Sequence, residues 1–210
     1  PIINDDTCCG KFNNGNDISF YTGIGLSYEL LPSFLFVDTR LLFDSRPATL
    51  TANTNDYSVY NSNTDKYEQA LIKNDFDATL NYFVIDVGFK IRPISYIPIL
   101  FRLGVDISDA SITKTFSQTR QIIEPNGILI NGQSKEVVDD GKFSNLSVSK
   151  GLSGALIADI QLTDILKLSP EVSYRYPLNS SLDNIDWFTT LIRAGMSVSI
   201  NLNASEKIIK

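Results

Sequence analysis

The sequence contains no histidine, and its only two cysteines, Cys8 and Cys9, are adjacent. The absence of histidine excludes histidine acid–base catalysis, Ser-His-Asp triads and histidine metal sites. Two cysteines are too few for a four-cysteine zinc site. They form either a vicinal disulfide or an ordinary exposed pair. We therefore expect no enzyme activity, no catalytic residue, no bound metal and no cofactor.

Long apolar runs and an excess of positive charge are absent as well. No stretch of about 18 consecutive apolar residues occurs, so the sequence has no candidate for a transmembrane helix. The net charge is -6 and the isoelectric point is about 4.7. This acidic balance argues against a nucleic-acid partner and leaves no basic patch for anionic surfaces.

What the sequence does contain is an alternation with a period of two residues. In "IPILFRLGVDIS", residues 97–108, large apolar residues alternate with residues that are mostly small or charged. A β-strand places these two sets on opposite faces. The same alternation predicts seven strands, at residues 17–31, 34–46, 76–92, 98–108, 146–162, 166–176 and 187–202. The sequence therefore predicts an all-β, antiparallel, up-and-down sheet.

The predicted connections differ in length at the two ends of this sheet. A tight turn is predicted at Pro32-Ser33, and short connections near residues 93–97 and 163–165, whereas residues 47–75 and 109–145 are predicted to form long polar loops. Outer-membrane barrels of bacteria have this asymmetry, with short periplasmic turns and longer extracellular loops.

The polar face of the predicted strands is composed of Gly, Ser and Ala, with single charges of both signs between them. Glycine weakens an exposed strand, but inside a narrow barrel it leaves room for long side chains from the opposite wall. We expect the charged residues of this face to form a plugging network in the barrel interior. Its members are Glu29, Asp38, Arg40, Asp86, Lys90, Arg102, Asp106, Asp159, Glu171, Arg175 and Arg193.

The predicted number of strands is odd, whereas single-chain bacterial barrels have an even number. We therefore expect a transmembrane barrel of about eight strands, whose N-terminal strand would precede Pro1 and close the barrel against residues 187–202. The alternative is that residues 1–13 form a short irregular strand. Residues 1–202 are predicted to be a single barrel domain, and residues 203–210 a polar tail that leads to a C-terminal domain.

Four segments carry a resemblance to a known family: "FYTGIGLSYELLPSFLFVDTRLLFD", "LNYFVIDVGFKIRP", "IPILFRLGVDISD" and "LSPEVSYRYPLNSSLDNIDWFTTLIRAGMSVSI". Their pattern resembles the small outer-membrane β-barrel domain of OmpA-like and PorT-like proteins of Gram-negative bacteria. One departure is that such barrels often end in an aromatic residue, whereas this chain continues past Leu202 into "NASEKIIK".

The resemblance implies an outer-membrane protein of a Gram-negative bacterium, with membrane lipid as its partner. It further implies a structural or envelope-linking role, with extracellular loops that bind a ligand, and we expect a monomer. Two alternatives remain open. One is a narrow, porin-like channel for ions or small solutes. The other is a soluble β-barrel carrier of an apolar ligand, in which Phe101, Leu103 and Val105 would face inward.

Overall fold

The structure is a computed structural model that describes residues 12, 15–61, 64–125, 130, 133–144, 146–183 and 186–201. Within these ranges most residues belong to β-strands and no residue is helical. Cys8, Cys9 and the predicted tail at 203–210 lie outside the described residues, as does the rest of segment 1–13 apart from Phe12.

Within the described ranges, ten strands form one sheet. They are β1 (Gly15–Asn16), β2 (Phe20–Leu31), β3 (Leu35–Asn61), β4 (Lys66–Ile91), β5 (Ile99–Glu124), β6 (Glu136–Lys142), β7 (Ser149–Ala158), β8 (Ile160–Gln161), β9 (Leu166–Pro177) and β10 (Leu191–Ile200). Each of the seven predicted segments overlaps at least one of these strands. The prediction of an all-β, antiparallel fold is therefore confirmed.

Neighbouring strands of the sheet follow the chain order. The order is β1-β3-β4-β5-β7-β9-β10, with β2 also paired to β3, β6 to β5 and β8 to β9. The register of β5 with β7 joins Ile99 to Ala158 and Ser108 to Ser149 without a break. The sheet is thus a meander of neighbouring strands.

The prediction of a closed barrel of about eight strands is wrong for the part of the chain that the structure describes. There, β2 pairs only with β3 and β10 pairs only with β9, so the sheet is open between them. Alternation predicts that a segment is a strand and which face it buries, but it does not predict whether two edges meet.

The prediction of long polar loops at 47–75 and 109–145 is also wrong. β3 continues to Asn61, β4 begins at Lys66, and β5 continues to Glu124. Between β3 and β4, the Thr64 N–H donates to the Asn61 carbonyl at 3.2 Å. The buried positions of these segments include alanine and amide side chains. The alternation of large apolar with polar residues is therefore weak there, and the segments resemble loops in sequence.

The chain divides into two compact units. The first unit comprises the described residues of Pro1–Tyr21, Asp44–Tyr82 and Ala110–Ser144, and the second comprises those of Thr22–Phe43, Phe83–Asp109 and Asn145–Lys210. The prediction that 1–202 is one barrel domain stays a prediction, because a division by packing does not decide how the chain functions.

The first unit has an aromatic core. The Phe76 ring is fully buried and stacks on Phe116 with centroids 5.7 Å apart. Phe12 and Phe143 contact the same ring, with centroids at 6.0 and 6.3 Å. A core of this kind is what stabilises a sheet whose outer face is in water.

Replacing Phe76 should selectively destabilise the first unit. We expect Phe76→Ala to cost about 3–5 kcal/mol through lost burial and the cavity left behind. Hydrogen exchange followed by mass spectrometry should then show loss of protection within residues 66–82 and 115–124, with little change in β10. Val137→Ala, at an exposed position of the same unit, is the control and should change stability by less than about 0.5 kcal/mol. Equal loss of protection in both variants would contradict the assignment of Phe76 to this core.

Candidate functional site

The residue types on the two faces of β4 change at residue 83, where the chain passes from the first unit to the second. Every even-numbered residue from Ala70 to Gly88 is buried. Before residue 83 the buried residues are mainly apolar, and the positions between them are mainly polar. These buried residues include Ala70, Ile72, Phe76, Ala78, Leu80 and Tyr82. From Phe83 onward the exposed residues are apolar, and the buried or half-buried residues of the even-numbered face include Asp86 and Lys90.

β5 has the same inverted arrangement in the second unit. The exposed side chains are Phe101, Leu103, Val105 and Ile107, and the exposed fraction of Leu103 is 69%. The alternating positions include Arg102, which is only 2% exposed, and the buried residues Asp106 and Ser108. On this part of β5 the charged side chains are buried and the odd-numbered apolar side chains are exposed.

The exposed apolar surface extends over all the main strands of the second unit. It consists of Ile24, Leu26, Tyr28, Leu30, Leu41, Phe83, Ile85, Val87, Phe89, Ile91, Ile99, Phe101, Leu103, Val105, Ile107, Leu152, Leu156, Val172, Tyr174, Tyr176, Ile192, Met196, Val198 and Ile200. We call this set the apolar belt. Contiguous exposed apolar surface of this extent is unusual on a soluble monomer and marks a surface that contacts something other than water.

Asp38 is the centre of the buried charges. It lies on β3 and receives three cations: Arg40 Nε at 2.7 Å, Lys90 Nζ at 2.5 Å and Arg102 Nε at 2.7 Å. These cations lie on β3, β4 and β5, so one carboxylate links three neighbouring strands. Arg102 also donates from Nη2 to Asp86 at 2.8 Å and from Nη1 to the Ser153 hydroxyl at 3.0 Å.

Arg40 extends this cluster to the far side of the sheet. Its two terminal nitrogens donate to the two carboxylate oxygens of Glu171 on β9, at 2.9 and 2.8 Å. β3 and β9 are four steps apart in the strand order, which in a flat sheet would separate them by about 19 Å. The second unit must therefore be strongly curled, with its charged face on the concave side.

A second buried pair joins β5 to β9. Arg175 donates from Nε and Nη2 to Asp106 at 2.8–2.9 Å, and from Nη2 to the Ser149 hydroxyl at 3.2 Å. Both side chains are nearly inaccessible to solvent. Bidentate Arg–carboxylate pairs are among the strongest hydrogen-bonded interactions in proteins, because two parallel bonds share opposite charges.

A third cluster surrounds Asp159, between β7 and β8. Arg92 and Lys167 reach its Oδ2 at 2.8 and 2.9 Å, and the Ser169 hydroxyl donates to Oδ1 at 2.8 Å. Arg92 and Lys167 were not among the predicted site residues. Arg92 lies just after the end of β4, at a strand boundary that alternation defines poorly.

The structure brings nine of the eleven predicted site residues into these three ion-pair clusters: Asp38, Arg40, Asp86, Lys90, Arg102, Asp106, Asp159, Glu171 and Arg175. The other two are placed elsewhere. Glu29 is exposed and accepts a hydrogen bond from the backbone N–H of Ser33 in the β2–β3 turn. Arg193 is half-buried on β10.

The three clusters are almost balanced in charge. They contain five carboxylates and six cations, counting Arg92 and Lys167. Balance matters because an uncompensated buried charge costs several kcal/mol. Such a set of paired groups can neutralise and fill an interior.

Neither a metal centre nor a membrane-spanning helix is found in the described ranges. No group of three or more Cys, Asp or Glu residues there is arranged to hold a metal ion. The same ranges contain no helix long and apolar enough to cross a bilayer.

No family model, curated protein or solved structure matches this chain significantly. The resemblance to OmpA-like and PorT-like barrels therefore stays a prediction from the sequence pattern.

Two glycines leave the space that the ion pairs occupy. A Cβ on Gly151 would lie 2.5 Å from Asp106 Oδ2 and 2.7 Å from Arg175 Cζ. A Cβ on Gly104 would lie 2.8 Å from Arg102 Nη1. A side chain at either position would force the paired groups to shift from their present contacts.

A side chain at Gly151 should therefore break the Arg175–Asp106 pair. We expect Gly151→Val to destabilise the protein by about 1–3 kcal/mol through overpacking, with a further loss from the displaced pair. Gly154→Ala on the same strand is the control, since its nearest neighbour would be the Leu103 side chain at 3.8 Å. Guanidinium unfolding, followed by tryptophan fluorescence, measures both. Equal midpoints for the two variants would refute the assignment.

Proposed function

We propose that the second unit spans the outer membrane of a Gram-negative bacterium as a domain of the β-barrel type. Its role is structural, with an interior filled by ion pairs and with lipid as its partner. The observation that carries this proposal is the inversion of polarity within the unit, in which the apolar belt is exposed and the charged side chains are buried. Strands with this inversion suit lipid, because the hydrocarbon of the bilayer accepts the exposed apolar side chains.

The length of the apolar belt along the strands supports a membrane. On β4 it extends from Phe83 to Ile91 and on β5 from Ile99 to Ile107, nine residues in each case. A membrane-spanning strand needs about 9–11 residues. The first unit, by contrast, has an apolar core and an outer face that suits water.

The soluble-carrier alternative has less support. It requires Phe101, Leu103 and Val105 to face an internal cavity, and all three are exposed. In a carrier, Arg102 and Asp106 would point to solvent, whereas both are buried.

The plugged interior is favoured over a channel because the charged groups contact each other directly. Arg40 reaches Glu171 across the curled sheet, and Arg102 joins Asp38 to Asp86. Small barrels generally have interiors that side chains fill. A continuous water path would need these pairs to be separated.

A charge on the apolar belt should prevent insertion. We expect Leu103→Arg to destabilise the folded, inserted state by about 2–4 kcal/mol, because the belt would then carry a cation into hydrocarbon. The matched control is Val137→Arg, an exposed apolar position of the first unit with 59% of its surface accessible, which should have little effect. The measurement is folding into lipid vesicles, followed by gel mobility with and without heating and by resistance to carbonate extraction.

Two results together would contradict the membrane proposal. If the unmodified protein stays in the supernatant after carbonate treatment, and Leu103→Arg is as well tolerated as Val137→Arg, then the apolar belt does not contact lipid.

A plugged interior should not conduct ions. We expect the protein in planar bilayers to give no stepwise current, because the paired side chains occupy the interior. The double variant Arg40→Ala/Glu171→Ala, which removes the pair between β3 and β9, should give measurable steps. Steady conductance of the unmodified protein, unchanged in the double variant, would instead favour the channel.

A further inference from the structure

The second unit contains a cavity beside the short connections that join β2 to β3 and β4 to β5. Its volume is about 330 Å³, and all of its lining residues belong to the second unit. The lining includes Glu29 on β2, Phe36 on β3, Arg92 and Tyr96 between β4 and β5, Asp159 between β7 and β8, and Lys167 on β9. Pockets for small ligands begin at about this size. The cavity can therefore hold a small ligand beside ionised side chains.

The Asp159 cluster, which lines this cavity, is the one of the three ion-pair clusters whose charges do not cancel. The cluster around Asp38 contains three carboxylates and three cations, and the Arg175–Asp106 pair contains one of each. Asp159, by contrast, receives both Arg92 and Lys167, and both reach the same carboxylate oxygen, at 2.8 and 2.9 Å. The excess positive charge of the three clusters is therefore at the wall of the cavity.

Both cations of this cluster have hydrogen-bond donors that Asp159 does not use. A guanidinium has five N–H donors and an ammonium has three. Within the described ranges, the side chain of Arg92 donates from Nη2 to Asp159, and that of Lys167 donates to Asp159 alone. Arg92 Nε is shut off from solvent, so a ligand would reach this guanidinium through its terminal nitrogens. Lys167 is more accessible, with 37% of its side chain exposed.

The guanidinium of Arg92 is held in place before any ligand arrives. The Arg92 backbone N–H donates to the Phe34 carbonyl at 2.8 Å, which fixes the start of the side chain. Its Cζ lies 5.8 Å from the centre of the Phe36 ring, within the range of a cation–π contact. Asp159 holds its far end. A donor that is already ordered loses little conformational entropy on binding.

We propose that this cavity binds a ligand through an oxyanion group, a carboxylate or a phosphate, which accepts hydrogen bonds from Arg92 and Lys167. Charge-assisted hydrogen bonds of this kind are among the stronger polar contacts that a protein makes. Glu29 lines the same cavity and is exposed. Its carboxylate repels a simple anion, and it favours a ligand that also presents a hydroxyl or ammonium group. The proposal stands on the cavity and its charges, whether or not the apolar belt contacts lipid.

A purely cationic ligand fits the cavity less well. Asp159 already accepts from Arg92, Lys167 and the Ser169 hydroxyl, so its charge is compensated. Among the lining residues this leaves Glu29 as the carboxylate without a cation partner, and one exposed carboxylate binds a cation weakly.

The test is a calorimetric titration of the purified full-length protein with inorganic phosphate and, separately, with acetate, at constant ionic strength and with nonionic detergent present. We expect saturable binding of at least one of the two probes, with a Kd of about 1 mM or lower. Tighter binding of phosphate assigns a phosphate ligand, and tighter binding of acetate assigns a carboxylate. Lys167→Gln should weaken the binding about 5-fold or more, because a charge-assisted bond at a partly exposed site is lost. Lys167→Arg, which keeps the charge, should retain most of the affinity.

Two further variants make the test specific to this cavity. Glu29→Gln should tighten the binding of either simple anion about 2-fold or more, because the repelling charge is removed. Lys150→Gln is the matched control, since Lys150 is an exposed lysine at the start of β7, whereas Asp159 follows the end of that strand. It should leave the affinity unchanged.

The results that would overturn the proposal are equally direct. The absence of saturable binding of both probes would overturn it, and so would equal affinities of the unmodified protein, Lys167→Gln and Lys150→Gln. Circular dichroism checks that each variant is folded. If Lys167→Gln does not fold, Glu29→Gln decides the question, and unchanged or weaker anion binding in that variant would overturn the proposal.

Discussion

The ion pairs at Asp38 are the interaction on which the second unit depends. A strand that buries one face necessarily exposes the other, so the choice of a charged interior fixes an apolar exterior. That choice is stable only if every buried charge has a partner, because a half-satisfied network is costlier than an apolar core. Asp38 meets this condition with three cations from three adjacent strands.

The same pairs also set the curvature of the sheet. Arg40 on β3 and Glu171 on β9 make two short hydrogen bonds across four strand intervals. Such contact requires both a curled sheet and free space on its concave side. Gly104 and Gly151 leave space on the same side for the Arg102 and Arg175 pairs, because a Cβ at either position would displace those side chains. The glycines of the polar face therefore leave the space in which the charged side chains of that face pair.

The sequence predicts the second unit better than the first, for a physical reason. In the second unit large apolar residues alternate with charges, as at Phe101 and Arg102, so strand and face are both evident. In the first unit buried positions include Ala70, Asn74 and Gln118, and their alternation resembles a polar loop. Arg92 and Glu29 lie at strand ends, where a turn rather than the alternation decides which way a side chain points.

Along β4 the residue types on the buried and exposed faces are inverted at residue 83. The backbone register does not change there, so the register does not cause the inversion. The buried, even-numbered face continues from Ala70 to Gly88 without a change of register, so the pleat cannot account for the change of chemistry at residue 83. On β5 the alternating exposed apolar side chains from Ile99 to Ile107 lie on the second-unit side of the division at Ala110. A soluble sheet that buried charges and exposed phenylalanine would lose free energy on both faces at once. Under the proposed function, hydrocarbon in place of water around the second unit makes both faces favourable, with no change in the strand itself.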